Sequence, residues 1–191
     1  MLVILSGVSG AGKDTIKREL IKRMNNVTTI ASYTDRPKRD RDVDTQYNYV
    51  TKEKFEEMIK NNELYEYSVH HNHYYGTSKA VLDENIKLGK IIVKDIDVNG
   101  TEDLVNIFKD NIKVVTIFLK VPKHILKKRL EEREENPDLK EIKIRLNRFD
   151  YEESKICNYD YVLKNNDLEK TVQIIMTIIK NEYELGNNTE F

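Results

Sequence analysis

Gly7-Val8-Ser9-Gly10-Ala11-Gly12-Lys13 sets two glycines five apart directly before a lysine, and three of the chain's seven glycines fall within these residues. This is the pattern of a phosphate cradle. Glycines let consecutive backbone N–H groups wrap an anion, a following helix start adds partial positive charge, and the lysine can bridge the β and γ phosphates of a triphosphate. A plain glycine turn before a helix explains neither the third glycine nor Lys13. Asp14 stands where such loops commonly carry a hydroxyl for Mg²⁺, and the hydroxyl comes one residue later at Thr15. Two readings of Asp14 follow. It binds magnesium through water, or it faces outward as a favourable acid in the first helical turn and leaves the metal to phosphates and water.

A second constellation suits a smaller anion. Arg36 and Arg39, three apart in Ser32-Tyr33-Thr34-Asp35-Arg36-Pro37-Lys38-Arg39, can clamp a dianionic phosphate with planar multi-donor geometry, and Tyr47 and Tyr75 can add neutral hydroxyls. Taken alone the arginines could be a solvated charge run. Arg129 and Arg133 share a helix face and Arg145 follows across a polar segment, so these cations could neutralise a transferring phosphoryl group. Interleaved glutamates make an ordinary salt-bridged helix the competing reading. His70, His71 and His73 lack the spacing of a structural zinc site, and nothing near Cys157 in the sequence would activate it as a nucleophile.

Elements that could hold these groups are legible as well. Met1–Ser6 is a short apolar run typical of a buried parallel strand, and Ile16, Leu20 and Ile21 follow at helical spacing. Further apolar runs at 27–31, 91–93, 114–119 and 159–163 alternate with amphipathic stretches at 101–110, 123–134, 139–156 and 167–182. Such alternation predicts an α/β fold, a parallel sheet flanked by helices. Between 33 and 75 the pattern changes to a basic loop, a short helix over 51–62 and aromatic-rich strands, which reads as an inserted subdomain. On strand alternation Val93, Asp95 and Asp97 share one face, with Lys94 on the other, where a buried ammonium must pair or snorkel.

Composition limits the alternatives. The chain has 191 residues, enough for one domain, with 32 basic against 33 acidic side chains and a net charge of -1, which gives no general reason to bind nucleic acid or an anionic membrane. No run approaches the roughly 18 apolar residues of a membrane helix, and the single cysteine forms no internal disulfide. The expectation is a soluble, reduced, cytoplasmic protein, monomeric or homodimeric.

The phosphate loop, S-x-T-x-R-x-x-R from Ser32, Glu66, Tyr75-Gly76-Thr77-Ser78 and Asp95-Ile96-Asp97-Val98-Asn99-Gly100 occur in one order, and together they resemble guanylate kinase from about Leu2 to Glu182. The resemblance implies a P-loop kinase with a core over 1–32 and 76–191, an inserted nucleoside-monophosphate-binding part over about 33–75 and a mobile lid over about 129–148. It implies transfer of the γ-phosphate of ATP, with Mg²⁺, to GMP or dGMP. Carried over by position, Gly7, Val8, Ser9, Gly10, Ala11, Gly12, Lys13, Asp14, Thr15 and Asn165 meet ATP. Ser32, Arg36, Arg39, Tyr47, Glu66, Tyr75, Thr77 and Asp95 meet GMP, and Lys13, Arg129, Arg133 and Arg145 act on the transferring phosphate. Guanine's N1–H and 2-amino group are adjacent donors that one carboxylate, Glu66, can accept together. The sequence departs from the family pattern at Asp14, Asp35, Lys38, Arg41, Asp42 and Lys94, and the Asp42–Tyr47 spacing is one residue shorter. An acid at Asp35 either orients the arginines or weakens their field. A catalytically inactive interaction module, or a related kinase with another phosphorylated acceptor, are the alternative functions.

Overall fold

The computed structural model describes residues 1–38, 42, 47–70, 72–132 and 139–187. β1 (Leu2–Ser6) is buried along its whole length, as its unbroken apolar sequence requires. It lies at the centre of a parallel sheet of order β2-β7-β1-β8-β9, with β2 (Val27–Thr28), β7 (Ile91–Asp95), β8 (Val114–Lys120) and β9 (Tyr161–Lys164). Alternation along β1 divides the core. Val3 and Leu5 pack with Ile16 and Leu20 of α1 (Lys13–Arg23) and with Ile175 and Ile179 of α8 (Leu168–Asn187). Leu2 and Ile4 face the other way, onto Leu82 of α3 (Lys79–Lys87) and Leu104 and Phe108 of α4 (Val98–Phe108).

The chain leaves this sheet after β2 and builds a second one, of order β4-β3-β6-β5, from β3 (Ser32–Thr34), β4 (Tyr47–Tyr49), β5 (Leu64–His70) and β6 (His73–Ser78). Its pairings with β6 are antiparallel, and a register irregularity lies between Leu64 and Glu66. α2 (Lys52–Lys60), capped by the Thr51 hydroxyl, covers it through a small core of its own: Phe55, Met58 and Leu64, with Phe55 stacked on Tyr74 at 5.0 Å between centroids.

Several elements differ from the sequence expectation. The strand expected over 27–31 is confined to Val27–Thr28. The helix expected over 139–156 is two, α6 (Leu139–Asn147) and α7 (Phe149–Ser154), followed by a 3-10 turn at Ile156–Asn158; α5 (Lys123–Glu131) precedes them. α3 was not anticipated, because within Lys79–Lys87 only Leu82 is fully buried and the apolar signal is weak. Asp97 lies beyond β7 and caps α4, its carboxylate accepting from the Gly100 amide at 2.8 Å, so it does not share a strand face with Asp95. Residues 133–138, which hold Arg133 and most of the polar segment before Arg145, lie outside the described residues. Among the described residues no helix is long and apolar enough to cross a membrane.

The separate core of the second sheet predicts a local effect. Phe55→Ala should cost about 3–5 kcal/mol, seen as faster amide exchange across α2 and β3–β6 with β1 and β8 unchanged. Uniform acceleration through both sheets would show a single cooperative unit instead.

Candidate active site

The glycine loop joins β1 to α1. Gly12 caps α1 in a left-handed conformation (φ 97°), and a Cβ there would come within 2.7 Å of the Asn165 amide nitrogen. Gly7 (φ 140°) would place a Cβ 2.6 Å from the Leu119 carbonyl. Both positions therefore require glycine. Val8 and Ala11 turn into the core, so only their backbone can meet a ligand. The Lys13 ammonium donates to the Gly7 carbonyl and, at 3.5 Å, to that of Val8, which leaves one of its three donors for an anion.

The loop is clamped from outside. Asn165 donates to the Ala11 carbonyl at 2.7 Å, and Arg129 donates to Asn165 O at 3.0 Å and Gly10 O at 3.4 Å. Arg145 reaches the Ser9 hydroxyl at 3.1 Å. Asn165 thus braces the loop from a buried position. Arg129 and Arg145, from α5 and α6, converge on the loop.

Beneath the loop is a charged floor. Lys17, one turn after Lys13, is ion-paired with Asp95 at the end of β7 and lies 3.5 Å from Asp14. Burial alone would lower the Lys17 ammonium, but Asp95 and Asp14 outweigh it and hold it above the ordinary lysine value. Burial would likewise raise Asp95, yet the ammoniums of Lys17 and Lys94 keep it below the usual carboxylate range. Asp14 does not simply face solvent: its Oδ1 is buried and, 3.5 Å from the Lys17 ammonium, accepts no hydrogen bond. A carboxylate so placed beside a phosphate loop keeps coordination capacity for a hard divalent cation.

Across the cavity, Arg36 is buried, donating to Asp42 Oδ2 at 2.8 Å and to Pro37 O at 2.9 Å, with its guanidinium 5.2 Å from the Tyr47 ring centroid. Tyr49 also donates to Asp42, at 2.8 Å. Asp35 is turned away from Arg36: it accepts from the Tyr74 amide at 2.7 Å and lies 3.5 Å from His73. It is therefore not what orients Arg36, which is held by Asp42 instead. Tyr75 packs edge-on against Tyr47 at 5.9 Å. Burial pushes the Tyr47 phenol up, so it remains a neutral donor.

Glu66 is 7% exposed and accepts from the Thr77 hydroxyl at 2.5 Å. Burial raises its carboxyl above the ordinary value, with the Thr77 hydrogen bond and Lys94 pulling the other way. Lys94, 1% exposed, does pair: its ammonium donates to the Ser32 hydroxyl and, at 3.5 Å, to Ile30 O. Burial holds this ammonium below the ordinary lysine value despite Asp95 and Glu66 nearby.

One group escaped the sequence reading. His70 Nε2 lies 2.9 Å from Asp97 Oδ2, while His70 Nδ1 is 2.7 Å from Arg148 Nη1; Arg148 also meets Asp97 and Glu152, each at 3.3 Å. Three distant segments meet here, from β5, the α4 cap and the α6–α7 joint. The available signal was Arg148 standing three residues after Arg145.

A cavity of about 870 Å³ brings these sets together. Gly7, Ser9, Gly10, Gly12, Lys13, Asp14, Thr15, Arg129, Arg145 and Asn165 line it on one side, and Ser32, Arg36, Tyr47, Glu66, Tyr75 and Asp95 on the other. Lys17, Asp42, His70, Asp97, Arg148 and Glu152 join them, although the sequence reading had given them no site role. Thr77 is fully buried behind Glu66. Arg39 and Arg133 lie outside the described residues.

The chain as a whole is similar to known proteins. A family model described as guanylate kinase matches residues 1–182. The chain is 38% identical over 182 residues to the guanylate kinase of Helicobacter pylori, covering 94% of this chain and 86% of that protein. It is 32% identical over 183 residues to that of Thermotoga maritima, covering 95% and 86%. The crystal structure of guanylate kinase from Anaplasma phagocytophilum superposes with a TM-score of 0.77 at 26% identity, over 95% of this chain and 85% of that one.

The His70–Asp97 contact carries a pH signature. Burial would raise Asp97, but hydrogen bonds from His70 and the Gly100 amide, with the charges of His70 and Arg148, bring it from 3.8 down to about 2. A depressed carboxyl stabilises the fold above its unfolded value and loses that contribution as the pH falls through its folded one. Asp97→Asn should thus cost on the order of 2 kcal/mol at neutral pH, a gap that closes between about pH 4 and pH 2 in denaturant titrations. A gap undiminished near pH 2 would refute the electrostatic account.

Proposed function

The chain belongs to the guanylate kinase family, and from that premise we propose how its own residues carry out the family reaction, transfer of the γ-phosphate of ATP to GMP. One observation carries the proposal: a phosphate-binding loop and a buried carboxylate flanked by hydroxyls open into the same cavity. A loop alone would suit many nucleotide enzymes. The carboxylate supplies what a guanine edge needs.

The triphosphate of ATP lies along the amides of Gly7–Gly12, with the free donor of Lys13 on the β and γ phosphates. Mg²⁺, accompanying ATP, would be held by phosphate oxygens and water with Asp14 as the protein carboxylate, and it supplies charge neutralisation across the β and γ phosphates. Asp95, clamped by Lys17, closes the floor between donor and acceptor. The acceptor phosphate is clamped by Arg36, whose pairing with Asp42 fixes its plane, with hydroxyls from Tyr47 and Tyr75; Arg39 completes the clamp. Because a phosphate monoester has its second pKa near about 6, its dianion is the nucleophile at neutral pH and requires no general base. An acceptor oxygen attacks the γ-phosphorus, the bond to the bridging oxygen breaks, and ADP departs with the electron pair. Arg129, Arg133 and Arg145 neutralise the charge spread over the transferring group.

Base selection falls to Glu66, which accepts from N1–H and the 2-amino group, with Ser32 and Thr77 completing the pocket. Adenine offers an acceptor at N1 and no amine at C2, so it leaves buried groups unpaired. GMP and dGMP share this edge, and both are proposed acceptors. In this reading 33–75 is the acceptor-binding part, 1–32 and 76–191 the core, and 129–148 a lid that brings its arginines inward and excludes water.

A coupled assay of ADP release with ATP-Mg and a panel of GMP, dGMP, AMP, CMP and UMP tests the assignment, with the guanine nucleotides expected to lead. Lys13→Ala should abolish transfer while circular dichroism stays native; near wild-type turnover would remove the loop from the chemistry. Glu66→Ala should lower kcat/KM for GMP at least tenfold, roughly 1.4 kcal/mol, and change the weak AMP rate much less. Equal losses with both bases would overturn the role of Glu66.

A further inference from the structure

A lysine in the middle of a buried parallel sheet is costly unless it does something an apolar residue would not. Lys94 stands in β7 between Val93 and Asp95 and is 1% exposed. Alternation turns Asp95 toward α1 and the phosphate loop, and turns Lys94 the other way, toward the start of β3. Among the described residues its ammonium meets two acceptors within hydrogen-bonding reach, the Ser32 hydroxyl and the Ile30 carbonyl.

The direction of the first of these bonds is fixed by chemistry. An ammonium has three donors and no acceptor, so the bond runs from Lys94 Nζ to Ser32 Oγ, and the hydroxyl's own hydrogen must point elsewhere. Ser32 lines the cavity. Among the described residues no side chain accepts that hydrogen, which leaves it available to a ligand in the cavity. Beside it Thr77 donates to Glu66, which spends that hydrogen within the protein and leaves the carboxylate facing the same cavity as an acceptor. One fixed donor next to one fixed acceptor is the complement of a 6-oxo-purine edge, an acceptor at O6 beside a donor at N1. A 6-amino-purine presents the reverse at both positions.

We propose that Lys94 is a positioning residue that locks the Ser32 hydroxyl as a hydrogen-bond donor to the 6-oxo group of the acceptor base. The inference rests on the guanine-pocket reading of Glu66 and adds to it a second determinant, at the 6-position. Without the ammonium, the Ser32 hydroxyl is free to rotate and to accept as readily as it donates, and the pocket loses its preference at that position.

The test compares acceptors that vary the base edge, each variant being read against the wild type on the same acceptor: GMP, with both the oxo and amino groups, IMP, which lacks the amine, and the 5′-monophosphate of 2-aminopurine riboside, which lacks the oxo group and with it the N1 hydrogen. Lys94→Met should raise KM for GMP and IMP by about tenfold, the worth of one neutral hydrogen bond. KM for ATP and for the 2-aminopurine nucleotide should be unchanged. In a Ser32→Ala background Lys94→Met should take away no further preference at the 6-position, because the lysine reaches that position only through the hydroxyl. A loss shared equally by the three acceptors, or a further loss of that preference in the double variant, would overturn the proposal. Should Lys94→Met fail to give a native melt, Ser32→Ala alone decides the polarity: it must penalise GMP and IMP and spare the 2-aminopurine nucleotide, and an equal penalty refutes a donor at Ser32. Glu66→Gln separates the two readings. If it leaves the GMP over AMP preference intact, the guanine pocket itself falls; if it erodes that preference while Lys94→Met acts on every acceptor alike, only the role of Lys94 falls.

Discussion

Adjacent buried charges at the carboxyl end of β7 cannot be left uncompensated, and much of the cavity is built around that constraint. Lys94 and Asp95 point to opposite faces of the sheet. Asp95 draws Lys17 up from α1, which in turn holds Asp14 at the edge of the phosphate loop. Lys94 draws in the start of β3 through Ser32 and Ile30, and so fixes where the second sheet joins the first. Charges of alternating sign thus run from the phosphate loop to the neighbourhood of Glu66. Each is tolerable because its neighbours are present, and removing one partner leaves another buried and unpaired.

The same constraint explains why the phosphate loop and the surroundings of Glu66 adjoin in one cavity. β7 lies next to β1, whose end becomes the phosphate loop, and also supplies the lysine that anchors β3. The phosphate loop and the start of β3 therefore meet at the carboxyl edge of the parallel sheet, where the connections of such sheets leave a crevice. The arginines of α5 and α6 reach this edge from the opposite side. Phosphoryl transfer asks mainly for position and charge, and this convergence supplies both.

How far the sequence could carry this reading depended on the range of the interactions. The strand, glycine loop and helix at residues 1–23 were legible because burial, turn chemistry and periodicity are all local there. The pairing of Lys94 was recognised as necessary, but its partner lay 62 positions away and has no local signature. Asp35 was misleading for the opposite reason. It stands beside Arg36 in the chain, but it turns to the Tyr74 amide and leaves the arginine to Asp42, six positions on. Asp97 looked like strand because Asp95 and Ile96 precede it, while its capping role depends on the helix that follows. Arg148 and His70 belong to segments 78 positions apart, and their contact exists only in three dimensions.

The brace between Asn165 and the Ala11 carbonyl spans 154 positions. Translation makes the glycine loop among the first residues and the side chain that secures it among the last. During synthesis, β1 and α1 can collapse early as a local unit, but Asn165 reaches the Ala11 carbonyl only once β8 and β9 have docked in order at the far edge of the sheet. Loop closure of this length is entropically slow, and its end is fastened to the loop by the Asn165 amide and by Arg129, which joins Asn165 to Gly10. A nascent chain would therefore hold the loop's sequence long before it held the loop's shape, and nucleotide binding would mark the completion of folding.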